Sequence, residues 1–536
     1  MPGKALHAIF LLSCLLYSVP GNALPLSTNN RWIVDAKTGE RVKLHCVNWP
    51  SHVGAMLAEG LHKKPLDYIL SQVVNNQFNC VRFTWATYMF TRPEMGNLKV
   101  QQSFDMLNLS DAKEGVAKNN PSLLNKTLLE AFDTIVDAMG QKGLLVLLDN
   151  HVSMPIWCCS DNDGNGFFGD TYFEAQEWIN SLITVAQRYK GKSQVIGIGT
   201  RNEMRGPQQN ETLWYKYITE AANKIHEVNP DVLVVASGLN YATDLSFLKA
   251  KPLGFNLNNK LVLEAHSYAW STGDGNSWLN QPLNEVCAQK IQLIDGKFGF
   301  LNNGENAVPI FIGEFGLNQQ NVSSLEDYYL SCLLAYITEK DLDWGLWGLQ
   351  GDYYFRDNKT YHEETFGLLD VNWNLLRNPK LQERLRLVKT ELQVPSTNSS
   401  SSYVIYHPQT GSCVQTNDKN EFYASECGNF SRWTHDKDDS PIKLVGVNLC
   451  LQVTGEGLAP ILSTTCSGPQ STWRSVSSSK LHLAAKNQNG EDLCLELDSS
   501  NPTKIVTNKC ICVAGDPNCK ENPTSQWFKL ASVNVN

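Results

Sequence analysis

The 536-residue sequence has no basic surplus: 45 Lys and Arg stand against 54 Asp and Glu, a formal net charge of −9. Nucleic acids are held by clustered cationic side chains, so a nucleic-acid partner is excluded. Beyond the N-terminal segment, no apolar run approaches the roughly 18 residues that argue for a membrane-spanning helix. There is no phosphate-binding G-x-x-x-x-G-K-[ST] loop and no G-x-S-x-G nucleophile turn. The final ASVNVN carries neither a retention tetrapeptide nor an apolar tail for a lipid anchor. What the chain does have is apolar mass. It is 42% hydrophobic, with 14 Trp, 18 Tyr and 20 Phe, which excludes wholesale disorder.

Cysteine is plentiful, with 15 residues, and eight of them follow residue 412. The N-terminus accounts for this. Lys4 precedes an apolar run from Ala5 to Val19, Pro20 closes it, and Gly21-Asn22-Ala23 places small residues at the −3 and −1 positions of a cleavage site. Residues 1–23 therefore read as a secretory signal peptide, and the run is too short for a comfortable membrane anchor. Its removal takes away Cys14 and leaves an even number of cysteines, suited to an oxidising compartment. N-x-S/T sequons at Asn108, Asn125, Asn210, Asn321, Asn358, Asn398 and Asn429 fit a glycosylated chain. Secretion, to the extracellular space or cell wall, is the expected destination, with no membrane association after signal removal and a monomeric state.

Residues 395–402 read PSTNSSSS, a linker composition. Residues 24–394 and 403–536 then form two domains. In the first, short apolar runs recur at Lys43–Val47, Cys80–Phe83, Leu144–Leu148, Val195–Ile198, Val232–Ala236, Leu261–Leu263, Ile310–Ile312 and Trp344–Trp347. Helical patterns separate most of them, over Leu128–Gln141, Phe173–Tyr189, Leu213–Val228 and Leu325–Glu339. Strand–helix alternation on this scale argues for α/β architecture as a (β/α)8 TIM barrel. An additional hairpin, Arg31–Val34 turning through Asp35–Glu40, is expected to plug the barrel floor. The second domain shows no helical pattern and an internal threefold echo. Cys413, Cys427 and Trp433 are followed by Cys450, Cys466 and Trp473, then by Cys494, Cys510 and Trp527. Each repeat is expected to close its own disulfide in an all-β unit, with Cys512 and Cys519 pairing locally.

Reactive groups of a barrel enzyme sit where strands end at the top face. The residues closing the strands here are Arg82, then Asp149-Asn150-His151, Asn202-Glu203, His266-Ser267-Tyr268, Glu314 and Trp347. Glu203 and Glu314 thus face one space, and paired carboxylates are what glycosidic bond cleavage requires. One is protonated to assist the leaving oxygen, and the other is ionised to attack the anomeric carbon. Arg82, Asn202, His266 and Tyr268 are suited to tuning the pair and holding sugar hydroxyls, and Trp347 and Trp157 offer flat faces to sugar rings. A lone Glu at a strand end is more commonly a surface ion-pair partner, but six converging strand ends outweigh that reading.

These motifs resemble glycoside hydrolase family 5, the cellulase family. Its succession of Arg, His, Asn-Glu, His-x-Tyr, Glu and Trp matches Arg82, His151, Asn202, Glu203, His266, Tyr268, Glu314 and Trp347, in order, over about residues 30–390. The resemblance implies a cofactor-independent retaining hydrolase of a β-linked polysaccharide or oligosaccharide. Glu203 would be general acid/base and Glu314 nucleophile, Asn202 would bind the 2-hydroxyl and Tyr268 would steady Glu314. The family usually places Pro after Asn-Glu; Met204 stands there instead, and Arg201 before it is also unusual. The likeness is strongest to a plant branch. The second domain resembles a ricin B-type lectin, a β-trefoil whose repeats close on Gln-x-Trp. The closings here are Ser431-Arg432-Trp433, Ser471-Thr472-Trp473 and Ser525-Gln526-Trp527, none with Gln at the motif position. If a repeat binds a second glycan, the first is the candidate, with Gln415, Asn417 and Asp418.

Other patterns carry less. Gly164 to Gly169 matches G-x-G-x-x-G but follows no strand and reads as a loop over the site. Asp161-x-Asp163-x-Asn165-Gly166 begins like a calcium loop, but Tyr172 occupies the position that needs Glu, so no metal is assigned. Adjacent Cys158 and Cys159 read as disulfide cysteines. A non-catalytic, lectin-like barrel and a transglycosylase acting at the same site are the competing functions.

Overall fold

The structure is a computed structural model that describes residues 25–535 apart from 272, 396–401, 418, 420, 429 and 514–517. Residues 1–23, read above as a signal peptide, and nearly all of the stretch read as a linker lie outside the described residues. Strands β3 (His45–Trp49), β4 (Cys80–Ala86), β5 (Leu145–Val152), β6 (Val195–Gly199), β7 (Leu233–Ser237), β8 (Leu261–His266), β9 (Ile310–Phe315) and β10 (Asp343–Leu346) form one closed barrel in chain order. Every pair is parallel. All eight are the runs read from the sequence. Parallel barrel strands are buried on both faces, so they appear as continuous apolar runs.

Helices return the chain between strands. The helix Leu128–Gln141 starts where Thr127 and Glu130 form a reciprocal capping box, and it buries Leu128, Ala131, Phe132, Ile135, Val136 and Met139. The spacing of these residues is the 3.6-residue stripe of a helix packed on a sheet. Ala175–Arg188, Glu211–Val228 and Ser324–Lys340 occupy the other segments expected to be helical.

The floor hairpin is present with different partners. β1 (Leu26–Asn29) pairs with β2 (Trp32–Asp35) across Asn30-Arg31, and Val34 then bridges Arg41. The sequence reading began one strand too late, because Asp35–Glu40 carries stronger turn residues than Asn30-Arg31. Leu26 and Ile33 pack with Cys46, Cys80, Leu147, Val235 and Phe311 at the lower ends of the barrel strands, which closes the floor. At the opposite end, β11 (Asp352–Arg356) and β12 (Lys359–Glu363) form an antiparallel hairpin after the last barrel strand.

Among the described residues of 402–533, the regular structure is β-strand apart from one short 3₁₀ turn at Thr524–Gln526. The strand Ser402–His407 pairs with Lys529–Val533, so the beginning and end of the region are zipped together. Its own core contains Ile405, Val414, Phe422, Trp433, Leu451, Trp473, Leu495 and Phe528. Cys413–Cys427, Cys450–Cys466 and Cys494–Cys510 each close within one repeat, and Cys512–Cys519 closes locally. The barrel holds Cys46–Cys80, Cys158–Cys159 and Cys287–Cys332.

The region is docked on the barrel through a built interface. The third-repeat Trp527 does not join Trp433 and Trp473 in the β core. It is buried in the cluster continuous with the barrel, along with Tyr406, Leu481 and Val533. Its indole N–H donates to Asn284 Oδ1 at 2.9 Å, on the helix Leu283–Lys297. The same oxygen accepts from Ser479 Oγ at 3.0 Å, and Asn284 Nδ2 donates to the Cys512 carbonyl at 2.8 Å. Tyr406 Oη donates to the Arg384 carbonyl at 3.0 Å, and Lys529 pairs with Glu339 at 2.5 Å.

Candidate active site

Side chains two apart on a strand share a face. At the upper ends of the barrel strands, that rule points Asp149 and His151, and likewise Glu264 and His266, inward. Arg82 on β4 lies at the centre of the layer, fully buried. Its guanidinium reaches Asp149 Oδ1 at 3.0 Å, Glu264 Oε1 at 2.8 Å and Glu314 Oε1 at 2.9 Å. It also donates to Asn48 Oδ1 and Asn202 Oδ1, each at 2.9 Å. Burial alone would lower the Arg82 pKa, but the surrounding carboxylates raise it, so its charge is fixed.

Glu314 on β9 receives two donors, Arg82 on Oε1 and the Tyr268 hydroxyl on Oε2 at 3.0 Å. Glu203 follows β6, and His266 Nδ1 lies 2.9 Å from its Oε1 and 3.8 Å from Glu314 Oε2. Carboxylate oxygens of Glu203 and Glu314 and a ring nitrogen of His266 all fall within 4.8 Å of one another. Burial alone would lower the His266 pKa. Glu314, Glu203 and Glu264 overcome that and carry it up to about 10, so the ring is an imidazolium at neutral pH. Burial raises Glu314 to about 7, against the opposing pull of His266 and Arg82. Burial and the neighbouring carboxylates hold Tyr268 well above the ordinary phenol range, so it remains a donor.

On the other side of Arg82, Asp149 Oδ2 lies 2.6 Å from His151 Nδ1, which leaves His151 Nε2 to face Asn202 Nδ2 at 3.3 Å. Burial and Arg82 push the His151 pKa well below the usual value, consistent with a neutral ring that accepts at Nε2. The Trp347 ring stacks on His151 at 5.6 Å and 19°. Trp157 is half-buried, and the Arg356 guanidinium covers one of its faces at 3.4 Å, so at most the other is open to a ligand.

Local structure explains the departures around Glu203. Its backbone has φ 30°, a left-handed conformation that costs a non-glycine residue about 1–3 kcal/mol. Neighbours hold it there. Arg205 Nη1 donates to the Glu203 carbonyl at 2.7 Å, and Asn202 N donates to the Asn150 carbonyl at 2.8 Å. Arg201 is buried and ties the strand end to the following loops. It donates to Asn150 Oδ1 at 3.0 Å, Ser153 Oγ at 3.1 Å and the Asn165 carbonyl at 2.7 Å. Met204 is fully buried in the main core. The calcium-like run is occupied by protein donors. Asp163 accepts from Ser160 N, Asn165 N and Arg205, while Asn165 Oδ1 accepts from Ser153 N and Met154 N.

The structure therefore gathers Arg82, His151, Asn202, Glu203, His266, Tyr268, Glu314 and Trp347 at one end of the barrel. Sequence reasoning passed over Asn48 and Glu264, and it read Cys158 and Cys159 as disulfide cysteines without a role at the site; their sulfurs face Asn202 Nδ2 at 3.6 and 3.7 Å. Glu264 was detectable as the residue two before His266 on the same strand, and Asn48 as the polar residue that closes the run Lys43–Val47. In the C-terminal region, Gln415 is buried, with its Oε1 accepting from Ser431 N at 2.9 Å. Asn417 is exposed but folded into its own turn, accepting from Lys419 N and Glu421 N. Asp418 lies outside the described residues.

Comparison with known families matches residues 45–352 to Cellulase (glycosyl hydrolase family 5). A "Glycosyl hydrolase 5 family protein" from Chamaecyparis obtusa is 39% identical over 99% of this chain and 97% of its own length. An "Endoglucanase" from Paenibacillus polymyxa is 24% identical over 68% of this chain and 88% of its own. An endocellulase from Pyrococcus horikoshii, solved as a complex with cellotetraose, superposes with a TM-score of 0.52 at 19% identity, covering 68% of this chain and 99% of the other.

Proposed function

The chain belongs to glycosyl hydrolase family 5, and from that premise we propose that it is a secreted retaining hydrolase of a β-linked glucan, acting by double displacement. The enzyme class is a glycoside hydrolase. The observation that carries the mechanism is the packing of Glu203, His266 and Glu314 within 4.8 Å. Retaining enzymes need the two carboxyls roughly 5–5.5 Å apart, too close for a water between them, so one must attack the sugar itself.

Glu314 is the nucleophile. Against the burial that raises its carboxyl to about 7, Arg82 and Tyr268 donate to its two oxygens and the His266 imidazolium adds a positive charge 3.8 Å away, and all three favour the ionised nucleophile. Glu203 gives its proton to the leaving oxygen as Glu314 bonds to the anomeric carbon. A water then enters beside Glu203, gives up its proton to that carboxylate, and releases the sugar from Glu314. Asn202, held by Arg82 at its oxygen, presents its amide N–H₂ toward the 2-hydroxyl. Trp347, braced on His151, is the ring platform.

Several features support secretion. All fourteen cysteines from Cys46 to Cys519 are paired, and the five sequons within the described residues, at Asn108, Asn125, Asn210, Asn321 and Asn358, are exposed. The C-terminal region is proposed as a ricin B-type β-trefoil. Its three disulfide-closed repeats and its paired first and last strands support that reading. The test of mechanism is stereochemical. Proton NMR of cellotetraose digestion is expected to show the β-anomer as the first product. An α-anomer first product would exclude attack by Glu314, and no cleavage of any β-glucan would exclude the function.

A further inference from the structure

The loop after β5 runs Trp157-Cys158-Cys159-Ser160, and its adjacent cysteines are bonded to each other. A disulfide stabilises a fold chiefly by closing a loop in the unfolded chain, an effect that grows with loop length. The other six bridges span 7 to 45 residues, whereas this one spans a single step. It closes almost no loop, so fold stability does not account for it.

Its position does. Cys158 is buried against Ala86 and Val152, at the upper ends of β4 and β5, and Cys159 is half-buried beside them. Asn202 Nδ2 donates toward both sulfurs, at 3.6 and 3.7 Å. The sulfurs and a Glu203 carboxylate oxygen lie within 4.8 Å of one another. The amide of Asn202 is thus held at both ends, its oxygen by Arg82 and its nitrogen by His151 and the bridge.

We propose that the Cys158–Cys159 bridge is a positioning element of the active site, which fixes the Asn202 amide and forms an apolar wall beside Glu203 against which the reacting sugar rests. This assignment rests on the hydrolase reading above. Sulfur is a weak acceptor, so the bridge limits where the amide can turn without competing for the bond that the amide makes to the substrate. Opening the bridge undoes this. A dithiol such as dithiothreitol supplies two electrons and two protons, converts the S–S bond to two S–H groups, and closes to its own cyclic disulfide. The separated thiols no longer present one compact surface to Asn202.

The test compares wild type with the Cys158→Ala/Cys159→Ala variant on cellotetraose. The variant is expected to lose roughly 10- to 100-fold in kcat, with a smaller change in KM and a Tm within a few degrees of wild type. Dithiothreitol should lower kcat of the wild type and have much less effect on the double variant. Unchanged kcat in the variant, or equal inhibition of both proteins, overturns the proposal. A crystal structure of the variant supplies a readout without substrate: the Asn202 amide should be rotated from its wild-type position, and an unmoved amide overturns the proposal. Failure of the wild type to cut any β-glucan would contradict the hydrolase reading, and the crystallographic test of the bridge would still stand.

Discussion

The barrel top and the C-terminal repeats both carry inward-facing polar side chains, but they use them in opposite ways. Arg82 gathers three carboxylates and two amides around one buried cation, and the groups it holds converge on a common space. In the first repeat of the C-terminal region, Gln415 is also buried, yet its amide oxygen serves the backbone of Ser431. In the third, Gln526 donates to Glu496 and the Lys509 carbonyl. One region keeps its polar groups aimed at something outside the protein, whereas these C-terminal glutamines are committed to the fold itself. A polar residue at a motif position is therefore a site only when its hydrogen bonds leave a face for a ligand.

The sharpest way to break this contrast is at the two arginines. Arg82→Met removes a buried cation from among carboxylates, and it should cost roughly 3–5 kcal/mol in chemical denaturation and abolish turnover. Arg474→Met, which breaks a partly exposed pair with Asp492, should stay within about 1 kcal/mol and leave kcat intact. Comparable losses would mean that the barrel cluster has no special standing. The interface gives an intermediate case. Asn284→Ala leaves the Trp527 indole N–H and the Cys512 carbonyl without their partner, and it should cost about 1–3 kcal/mol with kcat unchanged. A fall in kcat there would show that the docked region acts on the catalytic site. The smallest effect is expected at Gln415→Ala, about 1 kcal/mol, with retention on immobilised glycans unaltered. Loss of retention would make that residue part of a sugar site.

Much of this was legible in the sequence because of how barrels are built. Strands buried on both faces write themselves as apolar runs, and a reactive group must sit at their upper ends, so Glu203 and Glu314 pair on the sequence alone. Glu264 was hidden because it interrupts an apolar strand, LVLEAH, and only the two-residue alternation with His266 reveals its direction. Asn284 could not be found, since an Asn in the first turn of a helix is ordinary, and its partners Ser479, Cys512 and Trp527 lie some two hundred residues away. Trp527 shows the limit of repeat logic. It holds the same place in its repeat as Trp433 and Trp473, yet its indole is buried in the cluster continuous with the barrel instead of in the β core.

The central claim is that turnover passes through the Glu203–Glu314 pair. It is tested most directly by measuring kcat on cellotetraose for Glu314→Gln beside its Tm. The account predicts a fall of at least about 10³-fold, with the protein still folded. A folded Glu314→Gln enzyme that retains wild-type turnover would contradict it.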